Sequence, residues 1–530
     1  MIRRLIFAFA ILFCAVVSFA QDVSFYRRYA EKGDVEAMYN LAMCYLNGSG
    51  VQEDYSQAVS WLTKAVKKKY PAAQYQLAVC YLNGTGVLKD LRRAWELNEK
   101  AVFQGFPDAL YLKSYCFREG ICVAQNNAQA YAWLDNAAKM GSSDALADLA
   151  CYYLSGNQSY NIQPDASKAY AYASKAADLG HVRGLYYVGI CLSRGYGTAS
   201  DAEKAFQYFY QAAVSGNASA QCEVAVAYLN GDGVEKDYSE AQKYISAAVQ
   251  SQSPQAYKLM GDVYYYGLGV EKSNVYAASW YEKALNDGVW DACEKLAYMY
   301  VYGKGVSKDE MKGYQLFKKA ADMGHVYGYQ GLGFCYENGY GVQRNLSSAI
   351  EYYKKVNNSD DGYSSYRLYQ IYRADVNGKP KDGAEALRCL KMAVDNGYTP
   401  AIYSLGYEFL VGEIAMQNNK SALEYITKAA EQGSVFAMAV LGISYYRGTI
   451  LVARDYSKAF HYLSQVVEED DDVDSGINDD MLAEVYRDLG ACYRFGRGTE
   501  KDQSLASYYT EMAAEFGDKS SLDAVKMMRR

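Results

Sequence analysis

From residue 33 onward the chain repeats one arrangement of apolar and polar positions. In its first occurrence Ala37, Leu41 and Tyr45 stand four residues apart, which places them on one face of a helix. A short glycine-bearing stretch follows, and then Ala58, Trp61 and Ala65 share a face of a second helix. Alanine at two of those three positions lets the helices of the pair approach closely. Asp34 can start the first helix by accepting free backbone N–H groups. Asp54, with Gln57 three residues on, is a capping-box-like start for the second. Gly48 stops the first helix, because a left-handed terminal residue is cheapest for glycine. Gly50 permits the tight link, and Val51 plugs the corner.

The same ten-residue link recurs as YLNGSGVQED at Tyr45–Asp54, YLNGTGVLKD at Tyr81–Asp90 and YLNGDGVEKD at Tyr228–Asp237. Turn glycines fall 36 residues apart at Gly48, Gly84, Gly120 and Gly156, slip by three, and resume at Gly195, Gly231, Gly267, Gly303 and Gly339. Gly412, Gly448 and Gly496 continue the series more loosely, around one degenerate unit at residues 362–398. The second glycine of the link is Gly50, Gly86, Gly233, Gly269, Gly305 or Gly341 in the units that keep it. Four of the six prolines, Pro71, Pro107, Pro254 and Pro400, stand at a unit's start, where a first-turn proline has no helical N–H to lose. About thirteen helix-turn-helix units are expected between residues 33 and 518. Unit 3 has Cys122 for the second glycine, unit 4 replaces the link with GNQSYNIQPD, and units 10 and 11 keep little of it, so differently shaped connections are expected there. An acidic insertion, residues 467–480, reads as a loop of mutually repelling charges. Residues 21–32 form an N-terminal cap segment, and 519–530 a half-unit that covers the last apolar face, as terminal repeats must.

Composition adds a leader and removes some partners. Residues 1–20 read as a secretory signal: Arg3 and Arg4, an apolar run from Leu5 to Val17, and a cleavable Ser18-Phe19-Ala20. Phe13 is too large for the small residue expected before a lipidated Cys14. Cleavage gives a periplasmic or secreted chain, with no later stretch apolar for long enough to span a bilayer. Removing Arg3 and Arg4 leaves 52 basic against 61 acidic residues, a balance that argues against nucleic acid as a partner. The 56 tyrosines outnumber the 17 phenylalanines and 5 tryptophans together, which suits many half-buried seams whose hydroxyls meet polar neighbours.

The pattern A-x-x-x-L-x-x-x-Y-x-x-G-x-G-V-x-x-D-x-x-x-A resembles the Sel-1-like repeat, a relative of the tetratricopeptide repeat. Leu77-Ala78, Tyr81, Gly84, Gly86, Val87, Asp90 and Ala94 carry the likeness in unit 2. Leu296-Ala297, Tyr300, Gly303, Gly305, Val306, Asp309 and Ala320-Ala321 carry it in unit 8. The resemblance covers nearly the whole chain after the leader. It implies an all-α fold, antiparallel helix pairs stacked in a right-handed α/α solenoid, used as an adaptor for protein complexes.

Catalytic chemistry finds little support. A phosphate-binding glycine loop needs a strand before it, whereas a helix precedes each glycine link here, so the glycines are scaffold punctuation. Asp470, Asp472 and Asp474 alternate as in a calcium loop, but Ser475 and Met481 stand where glycine and a bidentate glutamate are required. His181, His325 and His461 are scattered, and no Ser-x-x-Lys occurs, although some cysteine-rich relatives carry a β-lactam-hydrolase label. Cys44, Cys80, Cys116, Cys191, Cys335 and Cys492 occupy equivalent slots, roughly 10 Å or more apart in stacked helices. A disulfide needs Cα atoms within about 7 Å, so these are packing residues. The relatives' disulfide ladder lacks its first partner here, with Ala213 and Leu285 ahead of Cys222 and Cys293. Cys116 and Cys122 could still pair across the altered turn. No catalytic residue, metal or cofactor is assigned.

If tetratricopeptide geometry carries over, first helices line a concave side. Its aromatic positions are then Tyr39, Tyr75, Tyr111, Tyr115, Tyr186, Tyr298 and Phe334. Two readings of them stay open, a protein- or peptide-binding groove and ordinary packing between repeats. The leading function is a binding scaffold for a protein or peptide partner. A cell-wall-related hydrolase or β-lactam-binding activity, and an architectural spacer in an envelope complex, are the alternatives.

Overall fold

The computed structural model describes residues 23–356, 362–374, 382–468 and 477–528. The leader, residues 1–20, lies outside them, as do residues 469–476 of the acidic insertion and the calcium-like alternation within it. The described residues are all-α, joined by turns and one isolated bridge between Asn157 and Ile162. None of their helices is long and apolar enough to cross a membrane. The described residues form two compact halves, divided between Gly288 and Val289. Each is an α/α solenoid of consecutive helix pairs.

Repeat 2 shows how the sequence builds one pair. Pro71 opens the first helix, Pro71–Asn83, and Gly84 ends it at φ 79°. Both Gly84 N–H and Thr85 N–H donate to the Cys80 carbonyl, satisfying an end that the helix leaves bare. Asp90 then caps the second helix, Leu91–Phe103, its carboxylate accepting from Arg93 N–H. The Asp90 backbone N–H also donates 3.0 Å back to the Tyr81 carbonyl, which closes the link into a loop. The same tie joins Asp54 to Tyr45, Asp237 to Tyr228, Asp309 to Tyr300 and Asp502 to Tyr493. Val51, as expected, packs into the core beneath its link.

The recurrent link tyrosine has a second task. Its ring stacks on an aromatic of the same repeat's second helix: Tyr153 on Tyr172 at 5.7 Å, Tyr336 on Tyr352 at 5.5 Å, Tyr493 on Tyr509 at 5.7 Å. Part of the tyrosine excess therefore lies in seams within repeats.

The two link glycines differ in what requires them. Gly231 ends its helix at φ 85°, and a Cβ there would meet nothing closer than 3.7 Å. Gly233 also has positive φ, but its Cβ would stand 2.2 Å from the Ala202 carbonyl oxygen, at the start of the preceding repeat's second helix. Gly86 against Tyr55, Gly197 against Ala166, and Gly341 against Glu310 are equally tight. The second glycine is thus a docking surface between repeats. Cys122 takes this place in repeat 3 at φ 67°, its thiol 3.2 Å from the Leu91 carbonyl.

Two in-phase glycines do not end their helices in the left-handed region. Gly156 has ψ 160° and Gly448 has ψ 117°. Neither link has a second glycine to dock, and buried side chains fill the corner instead, Ile162 in one and Leu451 with Val452 in the other. Repeat 8 departs at its start, where a 3-10 turn, Trp290–Ala292, precedes the shortened helix Cys293–Tyr302. A helix at residues 23–31 precedes repeat 1, burying Val23 and Ala30, and Lys519–Met528 follows repeat 13.

All eleven cysteines among the described residues are free thiols, Cys116 and Cys122 included. Burial pushes the Cys80 thiol up to about 11 and the Cys335 thiol up to about 12, so neither is reactive near neutrality. The purified chain, unfolded in denaturant without reductant, is expected to titrate for nearly all of its thiols. Its melting temperature should not move on adding reductant. A titre near zero would show that the repeats stack more closely than this structure places them.

Candidate binding face

Within each half some first helices of successive repeats approach one another directly. Repeats 3 and 4, 4 and 5, and 6 and 7 do so in the N-terminal half, and 8 and 9 and 12 and 13 in the C-terminal half. Among the closely packed pairs none joins two second helices. Each stack therefore bends toward its first helices, which line the inner side.

On that side in repeats 1 to 5 the aromatic positions are half-buried rather than free. The Tyr39 ring lies 5.6 Å from Tyr70 and the Tyr75 ring 5.6 Å from Phe106, where Tyr70 and Phe106 begin the next repeat's first helix. Tyr111 donates from its hydroxyl 2.8 Å to Asp148, 37 residues away. Tyr115 has the Arg118 guanidinium 5.1 Å from its ring centre. Tyr186 contacts Tyr187 and Phe209, and its hydroxyl is pushed up to about 12 by burial, then by the nearby Glu223 charge. In the other half Tyr298 sits between Phe317 and Phe334 at 5.2 and 5.1 Å. Phe334 is only 9% exposed, which makes it a packing residue in this state.

The pattern of tyrosines does not announce the carboxylates beside them. Asp108 is half-buried and accepts from Ser142 Oγ at 3.1 Å; burial first of all raises its pKa. Asp144 lies 3.2 Å from His181, whose ring hydrogen bond is the first reason that its pKa is lowered. Asp148 is almost completely buried and accepts from both Tyr111 and Arg183, at 2.8 Å each. One carboxylate thus joins repeats 3, 4 and 5. The available signal was the 36-residue spacing of Asp108 and Asp144, with Asp148 one turn further on. In repeat 7, Lys258 and Asp262 pair within their own helix at 2.9 Å, so the charges there are partly spent on each other.

The turn glycines Gly48, Gly84, Gly231, Gly267, Gly303 and Gly339 all end first helices in the left-handed region. Gly50, Gly86, Gly233, Gly269, Gly305 and Gly341 have positive φ as well. No cluster of three or more histidine, cysteine or carboxylate side chains placed to hold a metal occurs among the described residues.

Comparison with known proteins places this architecture. The Sel1 repeat model matches thirteen times, from residues 35–70 through to residues 483–518. A curated relative, chitin synthase regulatory factor 2 of Schizosaccharomyces pombe, is 33% identical over 172 residues, 31% of this chain. The match spans about a third, 32%, of that relative's length. Among solved structures, a protective antigen of uropathogenic Escherichia coli displaying an SLR fold is 25% identical, with a TM-score of 0.41, covering 93% of this chain and 96% of that one. A Sel1 repeat protein from Oxalobacter formigenes is 27% identical, with a TM-score of 0.38, covering 58% and 88%. Thirteen matches in register with the helix pairs settle the family, and the chain belongs to the Sel1 repeat proteins.

Proposed function

We propose that this chain is an exported scaffold that binds a protein or peptide along the inner, first-helix side of its N-terminal half. The Sel1 repeat fold is typical of protein–protein interaction. The observation that carries the finer reading is the row of half-buried tyrosines with carboxylates between them on repeats 1 to 5. Tyrosine presents a large rigid ring and a hydroxyl at small entropic cost, which suits an anchor for a polypeptide. Export rests on the leader at residues 1–20.

Photo-crosslinking tests both parts. A photoreactive phenylalanine in place of Tyr115 should crosslink a discrete partner in the envelope or secreted fraction. The same group in place of Phe103, which is 93% exposed at a second-helix end, should not. The chain recovered should begin at Gln21. Equal crosslinking from both positions would remove the groove, and an unprocessed chain confined to the cytoplasm would remove export.

A further inference from the structure

Between repeats 5 and 6 the N-terminal half holds a half-open cleft of about 280 Å³. The second helix of repeat 5, Ala202–Val214, supplies Phe206 and Phe209 to its wall. The first helix of repeat 6, Ala218–Asn230, supplies Glu223 and Val226, and Asp232 in the link stands at its exposed rim. Phe209 is 4% exposed and packs closely against Gly189, where a Cβ would come within 2.5 Å of the ring. Tyr186 lies 5.9 Å from its ring, so the cleft adjoins the inner aromatic positions.

Glu223 is the unusual member. Its side chain is half-buried and accepts no hydrogen bond from any described residue. The one charge acting on it is Arg194, which is exposed and forms no close ion pair with it. Half-buried carboxylates elsewhere in this half have close partners, as Asp108 has Ser142 and Asp144 has His181. A carboxylate withdrawn from water without a partner is costly, and an incoming cation would offset that cost. Phe206 and Phe209 line the same wall, and an aromatic lining favours a cation on an apolar stem, since an ammonium or guanidinium is attracted within about 6 Å of an aromatic centre. At about 280 Å³ the cleft lies at the lower end of the ~300–1,000 Å³ of pockets that hold whole small molecules, a volume that suits a single long side chain.

We infer that this cleft receives a basic side chain, lysine or arginine, of the polypeptide bound on the first-helix side, with Glu223 as its counter-charge and Phe206 and Phe209 flanking its stem. The inference rests on the proposed function and specifies the chemistry of its ligand.

Saturation-transfer NMR on the full processed chain tests it with acetylated, amidated Gly-Lys-Gly, Gly-Arg-Gly and Gly-norleucine-Gly, and with free n-butylammonium. Saturation should reach the lysine and arginine methylenes and be absent for norleucine. Glu223→Gln, which keeps the shape of the side chain, should weaken lysine binding at least about tenfold with unchanged helical signal and melting temperature. Asp232→Asn, at the rim, should weaken it about threefold. Equal saturation of the norleucine peptide, or lysine binding unaffected by Glu223→Gln, overturns the inference. Binding of butylammonium with the lysine peptide excluded overturns it in favour of a small free amine. Crosslinking from position 115 reports the wider reading separately. Its persistence alongside a complete lack of lysine binding removes the pocket alone. Its absence with lysine binding intact removes the groove and leaves the cation site standing.

Discussion

Gly233→Val should lower the stability of the N-terminal half by at least about 3 kcal/mol, combining a strained left-handed backbone with overpacking at a tight contact. The cause is the close approach of Gly233 to Ala202, where any Cβ would stand 2.2 Å from the carbonyl oxygen. Backbone holds both sides of that contact, so relief requires the repeats to separate. Gly231→Ala, two residues earlier, is the control. It shares the positive φ, but its Cβ would make only ordinary van der Waals contacts, so it should cost only about 1–2 kcal/mol, the ordinary left-handed penalty. Urea unfolding of the two variants measures the difference. Hydrogen exchange should locate the Gly233→Val damage at the junction of repeats 5 and 6, because each repeat contacts only its neighbours. Equal losses for the two variants would show that the docking contact adds nothing to the conformational cost.

These two glycines also show where sequence reasoning stops. Both were legible as link residues, since a glycine that recurs every 36 residues after an apolar helix face has one economical explanation. The caps were legible for the same reason: Asp54, Asp90 and Asp237 stand at a fixed offset, and each accepts the N–H three residues on. Which glycine touches the preceding repeat was not legible, because periodicity records that a position matters and not what it faces. Tyrosine posed the same difficulty. Tyr81-type residues read as the apolar face of a first helix, yet Tyr153 and Tyr493 stack on second-helix rings. Tyr75 and Tyr111 fit both readings offered for them, because a half-buried ring between repeats is also the floor of a groove. The contact from Tyr111 to Asp148 crosses 37 residues, and only the stacking of one repeat on the next brings that pair together.

Arg183→Met should destabilise repeats 3 to 5 together. Arg183 donates at 2.8 Å to Asp148, which also accepts from Tyr111 and has Arg118 at 3.7 Å. Removing one partner of a buried pair strands the other, at about 3–5 kcal/mol when both are fully buried. Here the Arg183 side chain is 40% exposed, so water reaches its end of the pair, and Arg118 keeps part of the compensation. An expected loss of about 1–3 kcal/mol follows after that discount. Met keeps the length of the apolar stem, so packing changes little. The double variant Arg183→Met with Asp148→Leu removes the stranded charge as well and should recover much of the loss, a coupling of about 1–2 kcal/mol in the double-mutant cycle. Tyr111→Phe in the same series should cost about 1.5–3 kcal/mol, the worth of a hydrogen bond to a charged acceptor. Hydrogen exchange in Arg183→Met should rise in the first helices of repeats 3, 4 and 5 and stay unchanged in repeat 1. Strict additivity of Arg183→Met and Asp148→Leu would mean that the carboxylate does not join the three repeats, and that their stacking rests on apolar burial alone.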